Sequence, residues 1–288
     1  MKYTFIEQHR DSILGMRKLC RLLGVSRSAY YDWRTRMPSA RAVANEIMVL
    51  EILRVHELRR RVYGSPRMHA ELRENGYACS RNRVARLMRS EGIRAKTKKK
   101  FNVTTARNAK DAVSPNLVRQ QFVASAPNRL WTGDITYIWT KEGWLYLAVV
   151  LDVYGRRIVG YAMGSRITTE LVHTAFVRAQ RQRAIEPGMI FHSDRGCQYT
   201  SNEYRELLAD HDVRSSMSGT GNCYDNAITE AFFQKLKTEH VYHEHFQSRT
   251  EAELSIFEYI EVFYNRQRRH SALGYLSPVQ FENQLTVA

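Results

Sequence analysis

Apolar positions recur with two different periods along the chain, and the change falls near residue 129. Before it the spacing is helical. Leu19, Leu22 and Leu23 share one face of a short helix, and Gly24 stands where a helix can end in a left-handed turn. Ser26 supplies an N-cap for a second helix through Tyr30, Tyr31 and Trp33, so residues 12–36 read as helix, glycine turn, helix. A second unit over 45–95 begins with a helix through Ile47, Leu50, Leu53 and Leu58. Ser65 and Pro66 open the next helix, through Met68 and Leu72 to Gly76, because proline suits a first turn. Ser80 caps a third, which carries Val84, Leu87 and Met88 and closes at Gly92. The pattern then fades over 101–128, a linker punctuated by Pro115 and Pro127, with a short helix around Leu117–Phe122.

From 129 the period is that of strands. Residues 130–140 alternate and are rich in aromatic and β-branched side chains. Residues 144–153 are almost continuously apolar, as a strand covered on both faces must be. A turn at Tyr154-Gly155 leads to a third strand over 156–163. Then come a helix from Thr168 to Arg183, a strand over 188–193, a helix over 202–210 and a strand over 213–217. A glycine-rich loop, 218–222, precedes a helix from Asp225 to His240. A last helix, 250–265, carries Leu254, Phe257, Ile260, Glu261 and Tyr264. A three-strand meander followed by alternating helices and strands is the order of a ribonuclease-H-like α/β domain, here preceded by small all-α helix-turn-helix segments. The expected divisions are 1–40, 41–100, the linker 101–128 and the core 129–288.

Charge separates the same two parts. The net value is +15, but residues 1–127 hold 27 Lys+Arg against 10 Asp+Glu, while 128–288 hold 17 against 19. The whole surplus lies in the helical part, as expected if that part grips a polyanion. Arg27 flanks the second short helix, and Arg81, Arg83 and Arg86 line the helix after Ser80, with Lys98 and Lys99 close behind. These are the expected DNA contacts; a plain helical hairpin with solvated arginines would show the same pattern. No apolar run reaches membrane-span length, and the four cysteines form no CxxC pair, so the reading is a cytoplasmic protein with reduced thiols.

Three acids stand out. Asp134 sits among Trp131, Ile135, Tyr137 and Ile138 in the first strand, where an acid is out of place. Asp194 ends a strand, the edge at which open α/β sheets build sites. Glu230 lies about one turn into the helix after the glycine-rich loop. Fifty-nine residues separate the first two and 35 the last two. Three converging carboxylates repel, and two Mg²⁺ or Mn²⁺ ions remove that repulsion while bridging a phosphodiester. Asp152 and Glu239 are rivals that periodicity cannot rank.

The segments DITYI (134–138), WLYLAVVLDVYGRRIVGYAM (144–163), HSDRGCQYTS (192–201), GNCYDNAITEAFFQKLKTE (221–239) and FYNRQRRHSALGYLSP (263–278) resemble the DDE transposases of the IS-three family of insertion sequences. Within that family they are similar to the second-reading-frame (OrfB) protein, a relative of retroviral integrases. The resemblance spans nearly the whole chain. It implies an integrase-like catalytic core with the triad on Asp134, Asp194 and Glu230, two divalent ions, and a phosphate contact from Lys237, two helical turns beyond the glutamate. It also implies DNA ends as substrate, a homo-oligomer on DNA and a first-reading-frame (OrfA) partner. His192, Asn226 and Asp225 flank the acids as candidate supports, and Arg266, Arg268 and Arg269 as candidate DNA contacts. Tyr137, Trp144 and Tyr161 read as core. The competing readings are a DNA-binding regulator or inactive remnant, and a ribonuclease H or Holliday-junction nuclease.

Overall fold

The computed structural model describes residues 1–11, 15–96, 114–118, 121–219 and 226–284. Lys98, Lys99 and Asp225 therefore lie outside the described residues. The chain forms two compact units, Met1–Leu53 and Arg54–Ala288.

The first unit holds α1 (Lys2–Gln8), α2 (Gly15–Leu22) and α3 (Arg27–Thr35), and most of α4 (Ala40–Leu58). Its small core is Ile6, Leu19, Cys20 and Tyr30, with Tyr3, Met16, Leu23 and Val25 against it. The expected turn is present: Gly24 stands at φ +62, and Ser26 Oγ accepts from the Ala29 N–H at 3.1 Å, capping α3. Leu22, expected on the buried face of α2, is exposed instead. Helix α1 was not legible in the sequence. On α4 the buried positions are Met48, Ile52 and Val55, while Ile47, Leu50, Leu53 and Leu58 are exposed. This helix is apolar on more than one side, so periodicity could not choose the face that packs.

The second unit begins at the end of α4, where Arg60 and Arg61 both take positive φ. Helices α5 (Ser65–Glu74) and α6 (Arg81–Ser90) follow, the latter capped by Ser80 as expected. The expected short helix near Leu117 is not seen among the described residues 114–118.

A five-stranded sheet comes next: β1 (Leu130–Thr140), β2 (Gly143–Asp152), β3 (Arg157–Gly164), β4 (Ile190–Ser193) and β5 (Arg214–Met217). The strand order is β3-β2-β1-β4-β5. The first three pair antiparallel, while β4 runs parallel to β1 and β5 parallel to β4. One face is covered by α7 (Thr169–Gln182), with α8 (Cys197–Thr200) and α9 (Asn202–Asp210) beside it, through a core of Trp131, Ala148, Val150, Val159, Phe176, Phe191 and Tyr204. Helix α7 comes so near β3 that a Cβ on Gly160 would stand 2.3 Å from the Ala175 carbonyl oxygen. Side chains alternate along β1, so Thr132, Asp134 and Thr136 point to the other face, where α10 (Ala227–Glu239) and α11 (Arg249–Glu258) lie. The expected last helix is split: after α11 the chain continues as a π-helical turn, Tyr259–Tyr264. That extra winding changes the buried face, so Tyr259, Ile260, Phe263 and Tyr264 are buried while Leu254 and Phe257 are exposed. Helix α12 (Pro278–Asn283) closes the described chain, with Glu282 paired to Arg157 and Arg183 at 2.7 and 2.6 Å.

Helices α5 and α6 belong to this same unit. The ties are polar and buried. Glu71 accepts from Arg269 Nε at 2.6 Å and pairs with Arg59; Glu74 pairs with Arg269. Tyr63 Oη donates to the Gln267 carbonyl at 3.1 Å and accepts from the Arg269 N–H at 2.9 Å.

Candidate active site

The site is built on the two central parallel strands. Strand β1 pairs with β4 as far as Thr132 beside His192. Asp134 and Asp194 each follow two residues beyond that pair, so the parallel register carries them to the same end of the sheet. Asp194 Oδ1 accepts from the Gly196 N–H at 2.9 Å, a local turn that orients the carboxylate as β4 ends. Asp134 Oδ1 accepts from the Ile135 N–H at 2.8 Å.

Helix α10 is fastened to β1 just before Asp134. Thr229 Oγ1 donates to Thr132 Oγ1 at 2.7 Å, and Asn226 Nδ2 donates to the Gly133 carbonyl at 3.3 Å. Gly133 itself is needed there: a Cβ would meet the Phe191 ring at 2.5 Å. Glu230 stands in the first turn of α10, exposed, over the strand that carries Asp134. Two turns on, Lys237 lays its ammonium over the Tyr137 ring, 4.7 Å from the centroid.

The electrostatics show the same convergence. Burial pushes the Asp134 carboxyl well above the ordinary range, and the Asp194 carboxylate pushes it further. The Ile135 N–H opposes that rise, Glu230 adds to it, and Lys237 opposes it. Asp134 thus feels both other acids and the lysine. Among the described residues no three His, Cys, Asp or Glu side chains are close enough to hold a metal ion together. The donor set is nonetheless oxygen-only and anionic, and Asp194 and Glu230 add to the burial that raises Asp134, so the residues fit a hard divalent cation.

Both rival acids have other work. Asp152 is fully buried and accepts from the N–H groups of Asn128 and Tyr154 at 2.9 and 3.0 Å, fixing the chain just before β1 and just after β2. Glu239 is buried on α10 and accepts from Arg268 Nε at 2.7 Å and from Tyr259 Oη at 3.0 Å.

The flanking residues divide. His192 is buried and bonds through Nδ1 to Ser216 Oγ at 2.8 Å, joining β4 to β5. Asn226 is the tie from α10 to β1. Arg27, Arg81, Arg86 and Arg266 are exposed, and Arg83 is half-buried. Arg268 and Arg269 correct the sequence expectation of DNA contact. They are only 1% and 6% exposed, and their guanidinium groups are engaged by Glu239, Glu71 and Glu74. The basic look of that segment came from cations whose partners are remote in sequence. The aromatic expectation divides as well. Tyr161 is buried, but Tyr137 and Trp144 are exposed and form a surface cluster with Trp139, with ring centroids 5.0 and 4.8 Å apart. Tyr199 went unnoticed in the sequence. It is buried beside the acids, and Asp134 and Asp194 help to raise its phenol well above the usual range. A tyrosine on a four-residue helix gives no periodic signal to find it by.

A mixed five-stranded sheet of order β3-β2-β1-β4-β5, with helices on both faces, is a fold of the ribonuclease H type, and two aspartates follow where the parallel pairing of β1 and β4 ends, with a glutamate on the helix packed over β1. Family models match in chain order: an HTH-like domain over residues 42–101, an integrase core domain over 124–223 and a second integrase core domain over 230–285. Transposase InsF for insertion sequence IS3A of Escherichia coli strain K12 is 44% identical over 287 residues, which is 99% of each chain. The Shigella sonnei insertion element IS600 uncharacterized 31 kDa protein is 47% identical over 266 residues, 92% of this chain and 98% of that one. A simian T-cell lymphotropic virus intasome chain superposes with a TM-score of 0.47 at 14% identity, over 80% of this chain and 74% of that one, and adds nothing to the strand order above. The chain belongs to the family of insertion-sequence transposases that carry an integrase core.

Proposed function

We propose that this chain cleaves and joins DNA at the ends of an insertion sequence, with Asp134, Asp194 and Glu230 as the catalytic carboxylates. The observation that supports this most is the electrostatic coupling of Asp134 to Asp194, Glu230 and Lys237 where the parallel pairing of β1 and β4 ends. The three carboxylates would hold two Mg²⁺ or Mn²⁺ ions, which would supply activation of the attacking oxygen and charge stabilisation of the leaving 3′ oxygen. Lys237 shares a helix face with Glu230 and contacts a phosphate of the substrate beside the site. Thr229 and Asn226 keep α10 on β1 so that Glu230 stays over Asp134, and His192 keeps β4 in place beneath Asp194. Water first attacks the phosphodiester at the element's end and frees a 3′ hydroxyl. That hydroxyl then attacks a second phosphodiester, and no covalent enzyme intermediate forms.

Arg27, Arg81, Arg83, Arg86, Lys98, Lys99 and Arg266 contact the DNA backbone, and residues 1–40 and 41–100 act as its helix-turn-helix readers. The chain works on DNA as a homo-oligomer with a first-reading-frame (OrfA) partner, in the cytoplasm. No described helix is long and apolar enough to cross a membrane.

The test is cleavage and strand joining on a labelled DNA end in Mg²⁺, Mn²⁺ or EDTA, comparing the wild type with Glu230→Gln. Metal-dependent joining in the wild type, reduced to background in the variant, is the expected result. Metal-independent cleavage, or cleavage retained in Glu230→Gln, would sink the triad assignment.

A further inference from the structure

Behind the catalytic helix lies a cluster of cations that the proposed chemistry does not use. Arg268 is buried and spends two guanidinium nitrogens on Glu239, whose other contact is Tyr259 Oη. Its third nitrogen faces His270 Nε2 at 3.4 Å. Both Glu239 oxygens are thereby engaged. Three further cations close on this pair from three separate elements, all within the second unit. Lys235 lies one turn before Glu239 on α10. Arg67 lies one turn before Glu71 on α5, and Glu71 grips Arg269, the neighbour of Arg268. Arg156 lies in the turn between β2 and β3, where its carbonyl accepts from Tyr264 Oη at 3.1 Å, and the Tyr264 ring packs on His270 with centroids 4.9 Å apart.

Lys235, Arg67 and Arg156 are all half-buried, and none of their side chains makes a hydrogen bond or ion pair with another described residue. Arg268, Lys235 and Arg67 thus lie around one carboxylate whose two oxygens already serve Arg268 and Tyr259, and Arg156 stands beside them against Tyr264. Each feels the cost. Burial lowers the Lys235 ammonium to about 8, helped by Arg268, Arg67 and Arg156, and it lowers Arg67 and Arg156 as well. His270, held down to about 2 by burial and the same cations, stays neutral and offers no negative charge. Arg156 also adopts φ +54, a backbone position that costs an L residue free energy. Half-buried donors that find no acceptor among the described residues, gathered at a backbone strain, make a site suited to an anion.

We infer that Lys235, Arg67 and Arg156 form a binding site for a tetrahedral oxyanion, and that its occupant is a backbone phosphate of the DNA. This assignment rests on the transposase reading above. Lys235 is five residues beyond Glu230, about 7.5 Å along the axis of α10 and roughly 140° around it. The bound phosphate is therefore not the scissile one. It is a second anchor for the same DNA, reached where the strand passes α10, and it fixes register without reading bases.

The experiment uses the full chain and a fluorescein-labelled duplex, with binding followed by anisotropy across a salt series. Lys235→Met and Arg156→Ala should each weaken binding several-fold, equally for unrelated sequences, and flatten the slope of log K against log salt by about one. Without DNA, Lys235→Met should melt at the wild-type temperature or above it, because removing one of several crowded cations relieves repulsion. Wild-type affinity and slope in both variants would overturn the inference, and so would failure of the wild type to bind DNA. Inorganic phosphate is the second probe. If it raises the melting temperature of the wild type but not of Lys235→Met, while DNA affinity is unchanged, the site takes a free phosphate and the DNA assignment falls. Loss of cleavage in Glu230→Gln alongside unchanged DNA binding in Lys235→Met would leave the transposase reading standing and remove this one.

Discussion

Asp134 carries a clear electrostatic cost. It stands in a strand packed on both sides, beside Asp194 and below Glu230, and its neutral form is favoured in the fold relative to the unfolded chain. At neutral pH the ionised carboxyl is therefore destabilising until a cation neutralises it. Asp134→Asn should raise the stability of the metal-free protein by about 1–3 kcal/mol, seen as a few degrees in Tm at pH 7.5. Mg²⁺ should raise the Tm of the wild type and leave that of Asp134→Asn unmoved; equal responses to Mg²⁺ would argue against Asp134 as a ligand. Arg268 and Arg269 show the opposite case. Read along the chain they are part of a basic run, yet each is the counter-ion of a carboxylate far away in sequence.

Among the elements, β1, β4 and α10 act as one unit because small and polar residues let them approach. Gly133, Thr132, Thr229 and Asn226 form the seam on which Glu230 is carried. The other face depends on a similar close approach. In Gly160→Ala, the new methyl would stand 2.3 Å from the Ala175 carbonyl oxygen and 2.6 Å from the Ala179 nitrogen, both backbone atoms of α7 that cannot rotate aside. Helix α7 must then lift from β3, and the variant should lose about 2–3 kcal/mol in denaturant melts. A loss within 0.5 kcal/mol of zero would show that α7 shifts more freely than this packing allows. The π-helical turn is a difference of the same scale. Its sequence, YIEVFY, carries no helix breaker, so the added residue per turn is set by what Tyr259, Phe263 and Tyr264 pack against.

Across the whole second unit, the basic helices are joined to the catalytic core through buried ion pairs rather than by an apolar seam alone. Glu71 is the centre of that joint, holding Arg59 and Arg269 at once. Arginine partners lower its carboxyl despite burial, so it is ionised at neutral pH. Glu71→Ala takes the buried carboxylate from Arg59 and leaves Arg269 with only the exposed Glu74, and should destabilise the protein by about 3–5 kcal/mol. Limited proteolysis should then cut between α6 and β1 sooner than in the wild type. Unchanged digestion would mean that the joint is held elsewhere.

Much of this molecule was legible in the chain itself. The change of period near 129, the caps Ser26 and Ser80, and the succession of strands and helices along the chain all follow from local rules that act within a few residues, and the spacing of Asp134, Asp194 and Glu230 can be read off the sequence. The buried face of α4, the π-helical turn, the engagement of Arg268 and Arg269, the exposure of Tyr137 and Trp144, and the convergence of Lys235, Arg67 and Arg156 did not. Backbone periodicity and capping are properties of neighbours in sequence, so the sequence displays them. Which apolar side is covered, and which cation meets which carboxylate, depend on residues as much as 200 positions away, brought together only by tertiary packing.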